Sequence, residues 1–75
     1  MSSNLSQLDQ GERAVVMNID GSMRQRLQSL GLINGTNVTC MLKSPLGDPI
    51  AYLIRGAIIA LRSEDSSCVA VQIRP

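Results

Sequence analysis

β-Branched and aliphatic residues crowd the stretch RAVVMNI (13–19), and this run predicts a first strand. The period then changes. Within SMRQRLQSLG (22–31), Met23, Leu27 and Leu30 fall at i, i+4 and i+7, one stripe of a 3.6-residue period, and predict the only helix. Arg24, Gln25 and Gln28 fall on its solvent side. Ser22 or Asp20 is placed to cap its start, and Gly31 suits the left-handed position just past its end.

Beyond the helix the period returns to two. INGT (33–36) is a turn built on Asn-Gly, with Gly35 as its pivot. In TNVTCMLK (36–43), Val38, Cys40 and Leu42 alternate with Asn37, Thr39 and Met41, a strand with the first set inward. IAYLI (50–54) and AIIAL (57–61) read as a third and a fourth strand joined by a tight turn at Arg55-Gly56. RSEDSS (62–67) reads as a loop or a single helical turn, with Ser63 as its cap and Glu64 and Asp65 favourably placed in its first turn. CVAVQI (68–73) closes the pattern, with Val69, Val71 and Ile73 inward. About five short strands, one short α-helix and tight turns predict a mainly β protein, a small antiparallel barrel. Seventy-five residues suffice for one core, so residues 1–75 are read as a single domain. The polar start, residues 1–8, is expected to be loosely ordered.

One connection stands out. SPLGDPI (44–50) holds two prolines and a glycine around one carboxylate. Pro45 sets φ for the second position of a turn starting at Ser44. Gly47 is free to take positive φ at the exit, and Pro49 drives Asp48 toward extended backbone. A stiff turn accounts for all of this except Leu46, an apolar residue at an exposed tip, as a contact site would have. A second apolar feature lies on strands three and four. With Ile50, Tyr52 and Ile54 inward, Leu53 points out, and with Ile59 and Leu61 inward, so does Ile58. Leu53 and Ile58 form a candidate interface patch, unless the helix covers that face.

Composition removes several function classes. Net charge is +1, without a Lys/Arg cluster, and Tyr52 is the only aromatic residue. The basic face and stacking platforms of a nucleic-acid binder are therefore missing. The most apolar window, residues 50–61, contains Arg55 and falls short of the roughly 20 residues that span a bilayer, so no direct membrane insertion is expected. No apolar run resembles a signal peptide, which points to the cytoplasm. There is no histidine, so Ser-His-Asp and Cys-His catalysis are excluded within one chain. The carboxylates show no motif-spaced pair beyond Glu64-Asp65, and GLING fits no phosphate-binding loop. The chain is read as a non-enzyme without cofactor. Cys40 and Cys68 are far apart and cannot complete a four-ligand site. They are read as reduced core or near-core thiols, with a metal shared between two chains as the alternative.

Two segments together resemble the FeoA family of small cytoplasmic proteins of bacterial ferrous iron uptake. The first is RQRLQSLGLINGTNV (24–38), with Leu27, Leu30-Gly31-Leu32, Gly35 and Val38. The second is KSPLGDPIAYLIRGAIIALR (43–62), with its PLGDPI core and the following Arg55-Gly56 and Ala60-Leu61-Arg62. The resemblance covers residues 12–73. It implies an SH3-like barrel and a non-catalytic accessory role beside FeoB, the ferrous iron transporter with a cytoplasmic GTP-binding domain. It places the protein at the inner face of the membrane through that partner. Contact residues are then expected at Leu46 and Asp48 and at the helix end Leu30, Gly31 and Leu32, with Pro45, Gly47, Pro49, Gly35 and Gly56 shaping the turns. Ala57 and Ile58 replace the family's usual tyrosine and charged residue, and Leu53 a common acidic one, so the outer face is more apolar and a weak homodimer is a further expectation. Two alternatives belong to other classes: a metal-binding sensor or iron chaperone using Cys40 and Cys68, and an orphan regulatory domain like those at the C-termini of DtxR-type repressors.

Overall fold

The alternating stretches form six antiparallel strands in a computed structural model that describes residues 2–74. In chain order these are β1 (Ser2–Asn4), a 3-10 turn (Leu5–Gln7), β2 (Arg13–Ile19), α1 (Arg24–Ser29), β3 (Asn37–Lys43), β4 (Ile50–Ile54), β5 (Ala57–Leu61), α2 (Ser63–Ser66) and β6 (Val69–Arg74). The strands lie in one sheet in the order β1-β6-β2-β3-β4-β5. The sheet curls until its ends approach: the Tyr52 hydroxyl on β4 donates to the Leu5 carbonyl just past β1, at 3.2 Å. The result is a small antiparallel barrel, left open between the edge strands β1 and β5.

The core is aliphatic and wraps around Tyr52, its largest wholly buried side chain. Ala14 and Val16 of β2, Val38 and Cys40 of β3, Ile50 and Ile54 of β4, and Val69 and Val71 of β6 point into it. From α1, Leu27 is buried and Met23 and Leu30 pack at the margin, the stripe that the sequence places at i, i+4 and i+7.

Three local readings are corrected. The segment expected to be loosely ordered takes regular structure over residues 2–8: β1 pairs with β6, and the 3-10 turn drops Leu5 and Leu8 wholly into the core. Asn4 and Gln7 form a capping box, with the Gln7 side chain accepting from the Asn4 amide at 2.9 Å and Asn4 accepting from the Ser6 amide at 3.1 Å. Burying two leucines stabilises this end by about 3–6 kcal/mol, which outweighs its polar composition. Met1, also in that expectation, lies outside the described residues.

Second, Leu42 points outward and is 58% exposed. A β-bulge falls between Cys40 and Leu42, so Met41 is an extra residue and the inward phase moves on to Lys43, opposite Ile50. A second bulge on β2, at Met17, works the same way and lets both Val16 and Ile19 face the core.

Third, α1 is shorter than residues 22–31, and neither Asp20 nor Ser22 caps it. Met23 occupies the cap without a side-chain bond. The Asp20 carboxylate instead accepts from the Asn18 side chain at 3.2 Å.

Candidate interaction site

The residues expected to carry contacts fall into two groups, one stopping α1 and one forming the β3–β4 connection. At the helix end, the Leu32 amide donates to the Leu27 carbonyl at 3.1 Å and the Gly31 amide to the Gln28 carbonyl at 3.0 Å. These are the two bonds of a Schellman stop, with Gly31 at φ 101 in its left-handed position and Leu27 and Leu32 giving the apolar contact that accompanies it. A Cβ on Gly31 would meet the Arg55 side chain at 3.0 Å, so the Arg55 stem lies directly over it. Leu32 is wholly buried and Leu30 packs against the core. Leu30, Gly31 and Leu32 therefore end the helix and seal the barrel. Leu32 has no surface to offer a partner, whereas Leu30 and Gly31 stay partly exposed.

The β3–β4 connection opens with the turn at Ser44. The Gly47 amide donates to the Ser44 carbonyl at 2.8 Å, which closes a turn with Pro45 at its second position, and Gly47 has φ 84. The Ser44 hydroxyl then reaches across the loop to the Pro49 carbonyl at 2.6 Å. The Asp48–Pro49 peptide is cis.

Asp48 is not a free contact group. Its Oδ1 accepts from the Ser63 amide at 2.8 Å, and the Ser63 hydroxyl approaches Oδ2 at 3.4 Å. Ser63 is the first helical residue of α2 rather than its cap. Arg62 holds the cap position without a side-chain bond, so Asp48 supplies from another loop the acceptor this helix lacks. A carboxylate suits the positive end of a helix, and the bond fastens the loop to the barrel. Leu46 remains free at the tip, 95% exposed, the most exposed large apolar side chain among the described residues. The loop is thus pinned at Asp48 and apolar at Leu46.

The second candidate surface is the outer face of the sheet. Pairing registers align Arg74, Arg13, Thr39, Leu53 and Ile58 in one row across β6, β2, β3, β4 and β5. The row is cationic at one end and apolar at the other. Helix α1 does not cover it: α1 packs its leucines into the core from the opposite side, and Ile58 stays 65% exposed with Leu53 half-buried. The turn joining β4 to β5 places Arg55 at φ 50 and Gly56 at φ 83, the pair of positive values that a two-residue hairpin requires.

The thiols lie apart from both surfaces. Cys40 is buried in β3, and burial pushes its thiol above the ordinary value, opposed by Lys43 and reinforced by Asp9 and Glu12. A protonated thiol is a poor metal ligand, since the thiolate binds. Cys68 is half-buried and directs its thiol toward the Glu64 carbonyl at 3.5 Å. Among the described residues no three Cys, Asp or Glu side chains converge as a metal site. Nor is any helix among them long and apolar enough to cross a membrane.

Comparison with known proteins agrees with this architecture. The model of the FeoA domain matches residues 3–73. A curated relative from Porphyromonas gingivalis, a fusion of Fe(2+) transport protein A with the Fe(2+) transporter FeoB, is 32% identical over 71 residues. The match takes in 92% of this chain and 8% of the fusion protein, so the chain spans less than a tenth of that relative's length. Among solved structures, a FeoA-like protein from Clostridium acetobutylicum superposes with a TM-score of 0.90 at 26% identity, over 96% of this chain and 86% of the other. FeoA from Stenotrophomonas maltophilia, solved with zinc and described as a prokaryotic SH3 domain protein, gives 0.83 at 28% identity, over 92% and 88%. A manganese-dependent transcriptional repressor shares the fold alone, with a TM-score of 0.88 at 17% identity over 97% of this chain and 41% of that one. From β1 to β6, then, through the helix stop and the pinned Pro-Leu-Gly-Asp-Pro loop, this SH3-like barrel belongs to the FeoA domain family.

Proposed function

We propose that the protein is a non-catalytic accessory module of ferrous iron uptake that docks on the cytoplasmic part of a FeoB-type transporter and modulates transport. One observation carries this reading: in the P. gingivalis relative, a FeoA segment and FeoB are a single polypeptide. Joining two proteins in one chain fixes a high effective concentration of one for the other, which is useful when the two work in contact. The site that suits such docking best is the loop tip at Leu46. A pinned loop brings its apolar tip to a partner with little ordering left to lose.

The test is chemical-shift perturbation of this protein by the transporter's cytoplasmic domain. Shifts concentrated at residues 44–48 support the assignment, and Leu46→Ala is expected to weaken binding while leaving the fold's stability within about 0.5 kcal/mol. Shifts spread elsewhere, or undiminished affinity in Leu46→Ala, overturn the loop assignment. No perturbation at millimolar partner overturns the reading as a whole.

A metal-binding role has one observation in its favour, the zinc complex of the S. maltophilia relative. In this chain it would rest on Cys68 and exposed carboxylates. Anaerobic titration with ferrous iron or zinc decides it, with micromolar affinity as the supporting result.

A further inference from the structure

The outer edge of β5 has no strand beside it and borders a cleft walled by Met23, Arg26 and Leu30. In a two-residue hairpin the closing pair, Ile54 and Ala57, is hydrogen-bonded, and bonding alternates from there. Ala57, Ile59 and Leu61 therefore bond to β4, and the backbone N–H and C=O groups of Ile58 and Ala60 point away from the sheet. Among the described residues none of these four groups has a hydrogen-bond partner. Edge strands are ordinarily blunted by a charge, a proline, a bulge or extreme shortness. The opposite edge, β1, follows this rule with three residues, Ser-Ser-Asn. The β5 edge does not. Ala-Ile-Ile-Ala-Leu has no charge and no proline, pairs with β4 without a bulge, and carries Ile58 at 65% exposure.

We propose that β5 pairs with β5 of a second copy of this chain, antiparallel about a two-fold axis at Ile59. In that register Ile58 faces Ala60 of the other copy and Ala60 faces Ile58, so all four free backbone groups on each strand are matched by their own counterparts. The side chains agree, because Ile58 comes to lie against the small Ala60 on the outer face. The proposal is independent of docking on a transporter, because it uses the β5 edge rather than the loop tip.

Sedimentation velocity from about 10 µM to 1 mM tests it, a range that reads dissociation constants from micromolar to millimolar. The expected result is a rise in mass from 8.1 kDa toward twice that value, with amide exchange at Ile58 and Ala60 slowing as concentration increases. Ile58→Lys is expected to abolish the rise without lowering Tm. A single 8.1 kDa species at every concentration, or association unchanged in Ile58→Lys, overturns the proposal. Slowed exchange confined to residues other than Ile58 and Ala60 overturns the register.

Discussion

Replacing Asp48 with alanine removes the acceptor that the first turn of α2 draws from the β3–β4 loop. The stronger of its two contacts is with the Ser63 amide, at 2.8 Å; the Ser63 hydroxyl, at 3.4 Å, is too long to add much. Loss of a side-chain acceptor at a helix start costs about 1 kcal/mol, within a range of roughly 0.5–2. In a domain of this size 1 kcal/mol lowers Tm by about 4–8 °C. Urea unfolding followed by circular dichroism should show a lower midpoint with an unchanged m-value, since the surface exposed on unfolding is the same. A second substitution isolates the bond. Proline is tolerated at the first helical position, and Arg62, at φ −73 and ψ 150, already has the extended backbone that precedes a proline. Ser63→Pro deletes the amide hydrogen and little else. In that background Asp48→Ala should cost much less than it does alone. If Asp48→Ala leaves stability unchanged, or costs the same with and without the Ser63 amide, the loop is not pinned as described and Asp48 is again a free surface group.

Gly31→Ala should destabilise by about 1–2 kcal/mol, because φ 101 excludes a Cβ and the added methyl presses on the Arg55 stem; thermal melts measure it. Tyr52→Phe should cost about 1–3 kcal/mol by stranding the Leu5 carbonyl, and hydrogen exchange should rise first in residues 2–8. Burial holds the Cys40 thiol above 9.0 and the Tyr52 phenol above 10.0, so at high pH the native state keeps protons that the unfolded chain releases. Stability that is full below about pH 9 should therefore fall as pH rises through 9 to 10 and beyond. Urea midpoints across that range test this, and Cys40→Ala should give a shallower decline.

Most of the barrel is legible because its strands are short, period-two and separated by glycine turns. RAVVMNI, IAYLI and AIIAL have the bounds that their β-branched and aliphatic runs predict. The parts that were not legible share one property: they depend on partners distant in sequence. Leu42 breaks phase because β3 has one residue more than β4 can pair, and no pattern within β3 reveals that. Leu5 and Leu8 look like stray leucines in a polar leader until β6 gives β1 an edge to join. A local signal did exist there, since Asn4 and Gln7 have the spacing of a capping box. The helix end has a structural reason of its own. Leu-Gly-Leu is distinctive as a motif, but its distinctiveness belongs to chain reversal: one glycine for the left-handed residue and two leucines for the seal.

The Pro-Leu-Gly-Asp-Pro loop separates two roles that its sequence presents as one. Leu46 and Asp48 are two residues apart in a stiff turn, and together they resemble a paired apolar and acidic contact. The fold gives them opposite duties. Asp48 turns along the surface to Ser63 and holds the loop; Leu46 faces solvent and has no partner in the barrel. Stability and affinity should therefore separate between them. Leu46→Ala should weaken a partner without moving Tm. Asp48→Ala should lower Tm and weaken the same partner only through the entropy of a loosened loop, an effect that Ser63→Pro should reproduce with the carboxylate still in place. If both substitutions instead lower affinity equally at full stability, Asp48 contacts the partner directly and has released Ser63 to do so.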